Sequence, residues 1–160
     1  MNAGGNVKTI GTKPDNAAWG VAIALPSAES NDSIDVIRIP ESMALVTSGI
    51  YQRYYIGDDG KTYHHIIDPK TLYPVNYYNS VTVVTKDSGI ADALTKSIIM
   101  KPYSESLAFV DEYNAQHPDD PIYVVWIAKE DGTHDDWKLI KGYRVTMSEN
   151  LKQYSDAFKQ

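Results

Sequence analysis

The tightest constraint on this chain is how little of it can be helical. Apolar residues recur three and four apart over a long stretch only across residues 87–114. Elsewhere they alternate with polar ones or form short β-branched blocks cut by Gly, Pro, Asn and Asp. Asp87 or Ser88 can cap a first helix with apolar positions Ile90, Ala91, Leu94 and Ile98, which Pro102 ends. Residues 104–114 repeat the pattern with Leu107, Ala108 and Val110. Strand signals surround these helices. Residues 7–10 follow a Gly4-Gly5 turn, residues 19–25 alternate up to Pro26, and residues 34–39 alternate again. Residues 43–47 form a short strand ended by Ser48-Gly49. Residues 53–56 and 61–67 flank Gly57-Asp58-Asp59-Gly60, a hairpin signal, and residues 69–74 read as a rigid turn. Residues 80–85, 122–128, 137–140 and 143–146 complete the strands, with a turn at Asp131-Gly132 and a polar helix or tail over 149–158. The expected class is α+β, a mostly antiparallel sheet with two central helices, in a single domain over residues 1–160.

Composition excludes several functions. The formal charge is −6 and no basic stripe is visible, so nucleic acid is not an expected partner. There is no cysteine, which removes disulfides and thiolate metal sites. The longest apolar runs are too short to span a bilayer. The opening Met-Asn-Ala-Gly-Gly-Asn has neither the charged nor the apolar region of a signal peptide. It starts abruptly on a glycine pair, so further upstream chain is expected to complete the domain.

Four segments carry candidate chemistry. Asn2-Ala3-Gly4-Gly5-Asn6 pairs two glycines, which suits close approach of backbone to a ligand or a plain turn before a strand. Thr47-Ser48-Gly49 offers two hydroxyls and a glycine directly after a strand, fit for phosphate or ribose or simply for ending that strand. In Tyr63-His64-His65-Ile66-Ile67-Asp68, strand alternation puts the two histidines on opposite faces, one buried and one solvated. A histidine there, beside Asp68, is a phosphate donor or general acid/base, or has a structural role. Asp92, near the start of the first helix, is either a favourable partner of the helix dipole or, among small alanines, a carboxylate for a phosphate-bridging Mg²⁺.

In order and spacing, these segments resemble the FAD:protein FMN transferase (ApbE) family. The series is Asn-x-Gly-Gly-Asn, Thr-Ser-Gly-x-Tyr, Asp-Gly-Lys-x-Tyr-His-His-Ile-Ile-Asp-Pro-Lys-Thr-x-Tyr-Pro-Val, Ser-Val-Thr-Val and Ala-Asp-Ala-Leu, running from residue 2 to residue 94. The tail from Tyr143 to Phe158 also resembles that family's ending. The resemblance implies the C-terminal part of a T-fold-like domain. It also implies Mg²⁺-dependent cleavage of FAD and transfer of FMN to a Ser or Thr of an acceptor flavoprotein, on the extracytoplasmic or membrane-associated side of bacteria. By motif, Gly4, Gly5 and Asn6 floor the cofactor site. Thr47, Ser48 and Gly49 contact FAD, His65 lies near the pyrophosphate with Asp68 beside it and His64 is solvated, and Asp92 holds the metal.

Three departures stand out. The family's chains are longer, and their upstream half, with a Lys-Gly motif and much of the flavin pocket, has no counterpart here. Leu72 stands where the family has Gly; if that position needs positive φ, leucine costs roughly 1 kcal/mol or more, and the turn is remodelled. Lys96 stands four residues after Asp92, where the family has Thr. Thr95 is adjacent but rotated by about 100° on the helix. The Lys96 ammonium is expected to pair with Asp92 and neutralise the metal position, where its charge repels a divalent cation; the alternative is that it swings into solvent. The expected function is thus a partial member of that family with a partial FAD site. The rival readings are a non-catalytic flavin-nucleotide or partner-binding module, and a bare subdomain that pairs as a homodimer or with an upstream half-chain.

Overall fold

The computed structural model describes residues 1–129 and 136–159; the expected turn at Asp131-Gly132 lies outside them. Its backbone is a seven-stranded sheet in the order β1 (Asn2–Ala3), β2 (Asn6–Lys8), β5 (Ala44–Gly49), β8 (Ser80–Thr85), β9 (Tyr123–Lys129), β11 (Tyr143–Met147), β10 (Lys138–Ile140). Every pairing is antiparallel. Two hairpins stand apart from it: β3 (Trp19–Ala24) with β4 (Ser33–Ile39), and β6 (Tyr54–Ile56) with β7 (Thr62–His64). The helices are α1 (Ser88–Ile99), α2 (Tyr103–Gln116) and the short α3 (Glu149–Lys152). This is the expected α+β class.

The sheet is buried on both faces, which explains why β8 reads as an unbroken apolar and threonine run. On one face Val81, Val83, Val124 and Trp126 pack under α1 and α2. On the other, Leu45, Val84, Val125 and Ile127 pack under the β3–β4 hairpin and Leu151. Each fully buried Val or Ile contributes about 1.5–3 kcal/mol of transfer free energy, so this double core holds the central strands rigid.

Asp87 caps α1, its carboxylate accepting from the amides of Gly89 and Ile90 at 2.8 and 2.9 Å. The inward faces of the helices match the expected ones at Ala91, Ile98 and Val110 and differ elsewhere. In α1, Ala91, Thr95, Ile98 and Ile99 are buried while Ile90 is exposed; in α2, Ser106 and Val110 are buried while Leu107 and Ala108 are exposed. Pro102 does not merely end α1, since it stands at the N-cap of α2. Strand β5 runs on through Ser48 and Gly49 instead of ending before them.

The terminal segment is no loose polar tail. Ser155 is fully buried and bridges Ile37 of β4. The buried Asp35 carboxylate accepts from the Ser155 hydroxyl at 2.5 Å and from the amides of Ala157 and Val36 at 2.9 and 2.6 Å. Outside, Arg38 and Asp156 form a forked ion pair, closest at 2.5 Å.

Candidate functional site

A cleft of about 420 Å³ opens where the β1–β2 turn, the end of β5, the start and end of the β6–β7 hairpin, and α1 meet. Gly4, Gly49, Arg53, His65, Asp92 and Lys96 line it. A second cleft of about 710 Å³ adjoins it and shares Gly4, Thr47, Gly49, Gln52 and Arg53. The second has an apolar side formed by Val7, Val21, Ile23 and Leu45, with Tyr51 at its edge. Together they make one groove with a charged lobe and an apolar lobe, the division a nucleotide carrying both phosphate and a flat ring requires.

Local sequence explains how each wall is placed. Gly4 and Gly5 take φ of +62° and +94° in the two-residue loop between β1 and β2. Positive φ at both positions is what a type I′ hairpin turn demands, and glycine meets it without strain. Gly49 is needed for a different reason. A Cβ there would come within 2.5 Å of the Tyr51 ring, which folds back over the strand end. Burial raises the Tyr51 phenol above its ordinary pKa, so it stays protonated.

Thr47 and Ser48 point to opposite faces of β5, as a strand's alternation requires. Thr47 shares a 2.8 Å hydrogen bond with Thr82, and Ser48 donates to Thr95 at 2.8 Å. Both hydroxyls therefore have partners within the protein. Thr95 is fully buried and donates onward to the Asp92 carbonyl at 2.8 Å, so its hydroxyl lies beneath the cleft, not in it.

The two histidines separate as alternation predicts, but with the opposite environment for His64. That ring is 4% exposed, not solvated. Its Nε2 bonds the Val75 carbonyl at 2.7 Å, and its Nδ1 accepts from the Ile66 amide. The chain beyond β7 folds back through an Ile67–Pro74 bridge and covers it. Burial is the main influence on His64 and pushes it below its ordinary pKa, so it is neutral at pH 7. His65 instead faces the cleft, its Nδ1 3.3 Å from the Arg53 carbonyl. A carbonyl only accepts, so Nδ1 carries the hydrogen and Nε2 is the acceptor of the neutral ring.

Asp92 sits at the start of the second turn of α1, near the helix start as expected. Lys96, one turn further on, places its ammonium directly on the Asp92 carboxylate, as its spacing and charge order predict. Asp68 is not among the cleft's lining residues; its carboxylate accepts from the Lys70 amide at 2.8 Å and shapes its own turn. Asn6 pairs with Val46 in the sheet and lines neither lobe. Leu72 has φ of +60°, so the turn keeps the left-handed geometry expected of glycine and is not remodelled.

Sequence reasoning missed Gln52 and Arg53, which line both lobes. The available signal was a cation placed just after the Thr-Ser-Gly-x-Tyr motif.

The description of the ApbE family fits residues 1–118. The chain belongs to the ApbE family. An FAD:protein FMN transferase of Klebsiella pneumoniae (strain 342) is 40% identical over 96 residues, covering 59% of this chain and 28% of that protein. One of Vibrio cholerae is 34% identical over 112 residues, covering 69% and 33%. Among solved structures, the ApbE protein of Thermotoga maritima superposes with a TM-score of 0.71 at 29% identity, over 96% of this chain and 43% of that one. The flavin transferase ApbE of Vibrio cholerae gives 0.68 at 29% identity, over 95% and 42%. This ApbE chain thus spans less than half the length of the relatives it matches.

Proposed function

We propose that this chain is the part of an FMN transferase that holds the phosphates and one ring of FAD. The observation that carries the reading is the two-lobed groove joined at Gly4, Thr47, Gly49 and Arg53. Phosphate lies in the charged lobe against Arg53, Lys96 and His65, and a flat ring lies in the apolar lobe. The glycines at the junction allow the backbone to approach a pyrophosphate closely. In this reading His65, through its free Nε2, accepts the proton of an attacking hydroxyl from an acceptor flavoprotein. Asp68 holds the turn that follows His65 and does not touch the ligand.

The family also implies Mg²⁺, which this chemistry normally shares between substrate phosphates and one or two carboxylates. The residues present do not fit it. No group of three or more His, Cys, Asp or Glu converges among the described residues. Asp92 is the one carboxylate among the cleft's lining residues, and the Lys96 ammonium rests on it. That pair favours a second reading, in which the chain binds flavin nucleotide without cleaving it.

Transfer also needs more polypeptide than these 160 residues, because the chain spans less than half the length of the relatives it matches. The exposed Tyr54, Tyr55, Ile56, Ile67 and Tyr73 form the surface against which that polypeptide, or a second copy, packs. The test is incubation with FAD, Mg²⁺ and a family acceptor protein. Saturable quenching of flavin fluorescence with little covalent flavinylation is expected. Robust flavinylation overturns the claim of incompleteness, and absence of quenching overturns the binding site.

A further inference from the structure

Resting on the flavin-nucleotide reading above, we propose that this groove neutralises its ligand's phosphates with tethered side-chain cations, Lys96 and Arg53, in place of a divalent metal. The Asp92–Lys96 pair lies on the cleft wall with both side chains about half exposed, 54% and 49%, so the ammonium is held at the opening and is not buried beneath it. Acid before base at a spacing of four is the favourable order on a helix, which fixes the lysine over the carboxylate instead of leaving it to wander. The pairing cancels the Asp92 charge, and a divalent ion at Asp92 would have to displace an ammonium or sit against it. Thr95 offers no substitute ligand, because its buried hydroxyl accepts from Ser48 and donates to the Asp92 carbonyl.

Arg53 supplies the second cation. It lines both lobes and makes no ion pair among the described residues. Its planar fork suits two phosphate oxygens at once, whereas the lysine acts as a compact point charge. Two cations against one carboxylate leave the cleft with one excess positive charge while His65 is neutral, inside a chain whose total is −6. The preference for an anion is therefore local and built from side chains, and it persists when divalent ions are removed.

The experiment measures binding of FAD, by fluorescence quenching, and of inorganic pyrophosphate, by calorimetry. Each is run in EDTA and in excess Mg²⁺, on the wild type, Lys96→Thr and Arg53→Ala. Both side chains are exposed, so the variants are expected to fold, and a melting curve checks this. The expected result is wild-type affinity that is the same in both buffers. Lys96→Thr should lose about tenfold or more in EDTA and regain it with Mg²⁺, and Arg53→Ala should lose affinity in both. Mg²⁺ alone should bind Lys96→Thr measurably tighter than the wild type. Wild-type binding that requires Mg²⁺ overturns the proposal and leaves the flavin reading standing. Lys96-dependent pyrophosphate binding in EDTA without FAD binding overturns the flavin reading and leaves the tethered cation standing. Failure of both ligands under all conditions overturns both.

Discussion

Ser48 donates to Thr95 at 2.8 Å across the boundary between β5 and α1, and both side chains are buried. The contact fastens the helix to the strand directly beneath the Asp92–Lys96 pair. Thr95→Val keeps the volume but removes the acceptor, leaving the Ser48 hydroxyl buried and unpaired, at a cost of about 1–3 kcal/mol. Adding Ser48→Ala removes that orphan. The double variant should therefore lose less stability than the two single losses added together, as read from urea unfolding midpoints. Strict additivity would show that the two hydroxyls are not coupled.

Leu72 presents a different kind of cost. Its amide donates to the Asp68 carbonyl at 2.8 Å, its φ is +60°, and its side chain is 75% exposed. No burial compensates for the left-handed backbone, which costs about 1–2 kcal/mol in a residue with a Cβ. Leu72→Gly relieves this, against about 0.4–1 kcal/mol of extra unfolded-chain entropy. The expected net effect is a gain of between zero and about 1.5 kcal/mol. Leu72→Val, β-branched, should move the melting temperature the other way.

These two sites also mark what sequence can and cannot reveal. The two long helices were legible because spacing and caps are local. Their inward faces were legible only in part, because apolar periodicity does not register a buried polar residue whose partner is distant. Thr95 meets Ser48, and Ser106 meets the Trp126 indole at 2.8 Å. The same holds for the terminal segment, which looked polar because Ser155 and Ala157 find Asp35 only after the chain returns to β4. In the groove, the glycine turn, His65 and the Asp92–Lys96 spacing were readable from local order. Arg53 was harder to read, since it stands just past the Thr-Ser-Gly-x-Tyr motif and matters only because the chain carries it to the junction of two clefts.

Asp35 is expected to be the most sensitive single position outside the core. Its carboxylate accepts three hydrogen bonds, two of them from the terminal segment. Bonds to a charged group contribute about 1.5–3 kcal/mol each. Asp35→Ala should therefore unfold the chain at much lower urea and release residues 153–159 to proteolysis before the rest. A variant whose terminal segment resists protease as the wild type does would show that other contacts hold it.

The last expectation concerns pH and separates the two histidines. The folded protein holds His64 below its ordinary pKa of 6.5, chiefly by burial, with a smaller push from His65, and against hydrogen bonds to Val75 and Asn76 that raise it. The neutral ring already uses both nitrogens, and a proton on Nδ1 would face the Ile66 amide hydrogen. As pH falls below 6.5, the unfolded chain takes up this proton before the folded one does. Stability is therefore full above pH 6.5 and is lost as pH falls toward the folded pKa. His64→Gln keeps a side-chain N–H to donate to Val75 but cannot titrate. Between about pH 7.5 and 5.5 its unfolding midpoint should change less than that of the wild type. His65→Ala, at an exposed position, should keep the wild-type slope while weakening FAD binding. If His64→Gln retained the full slope, the buried ring would not be its source.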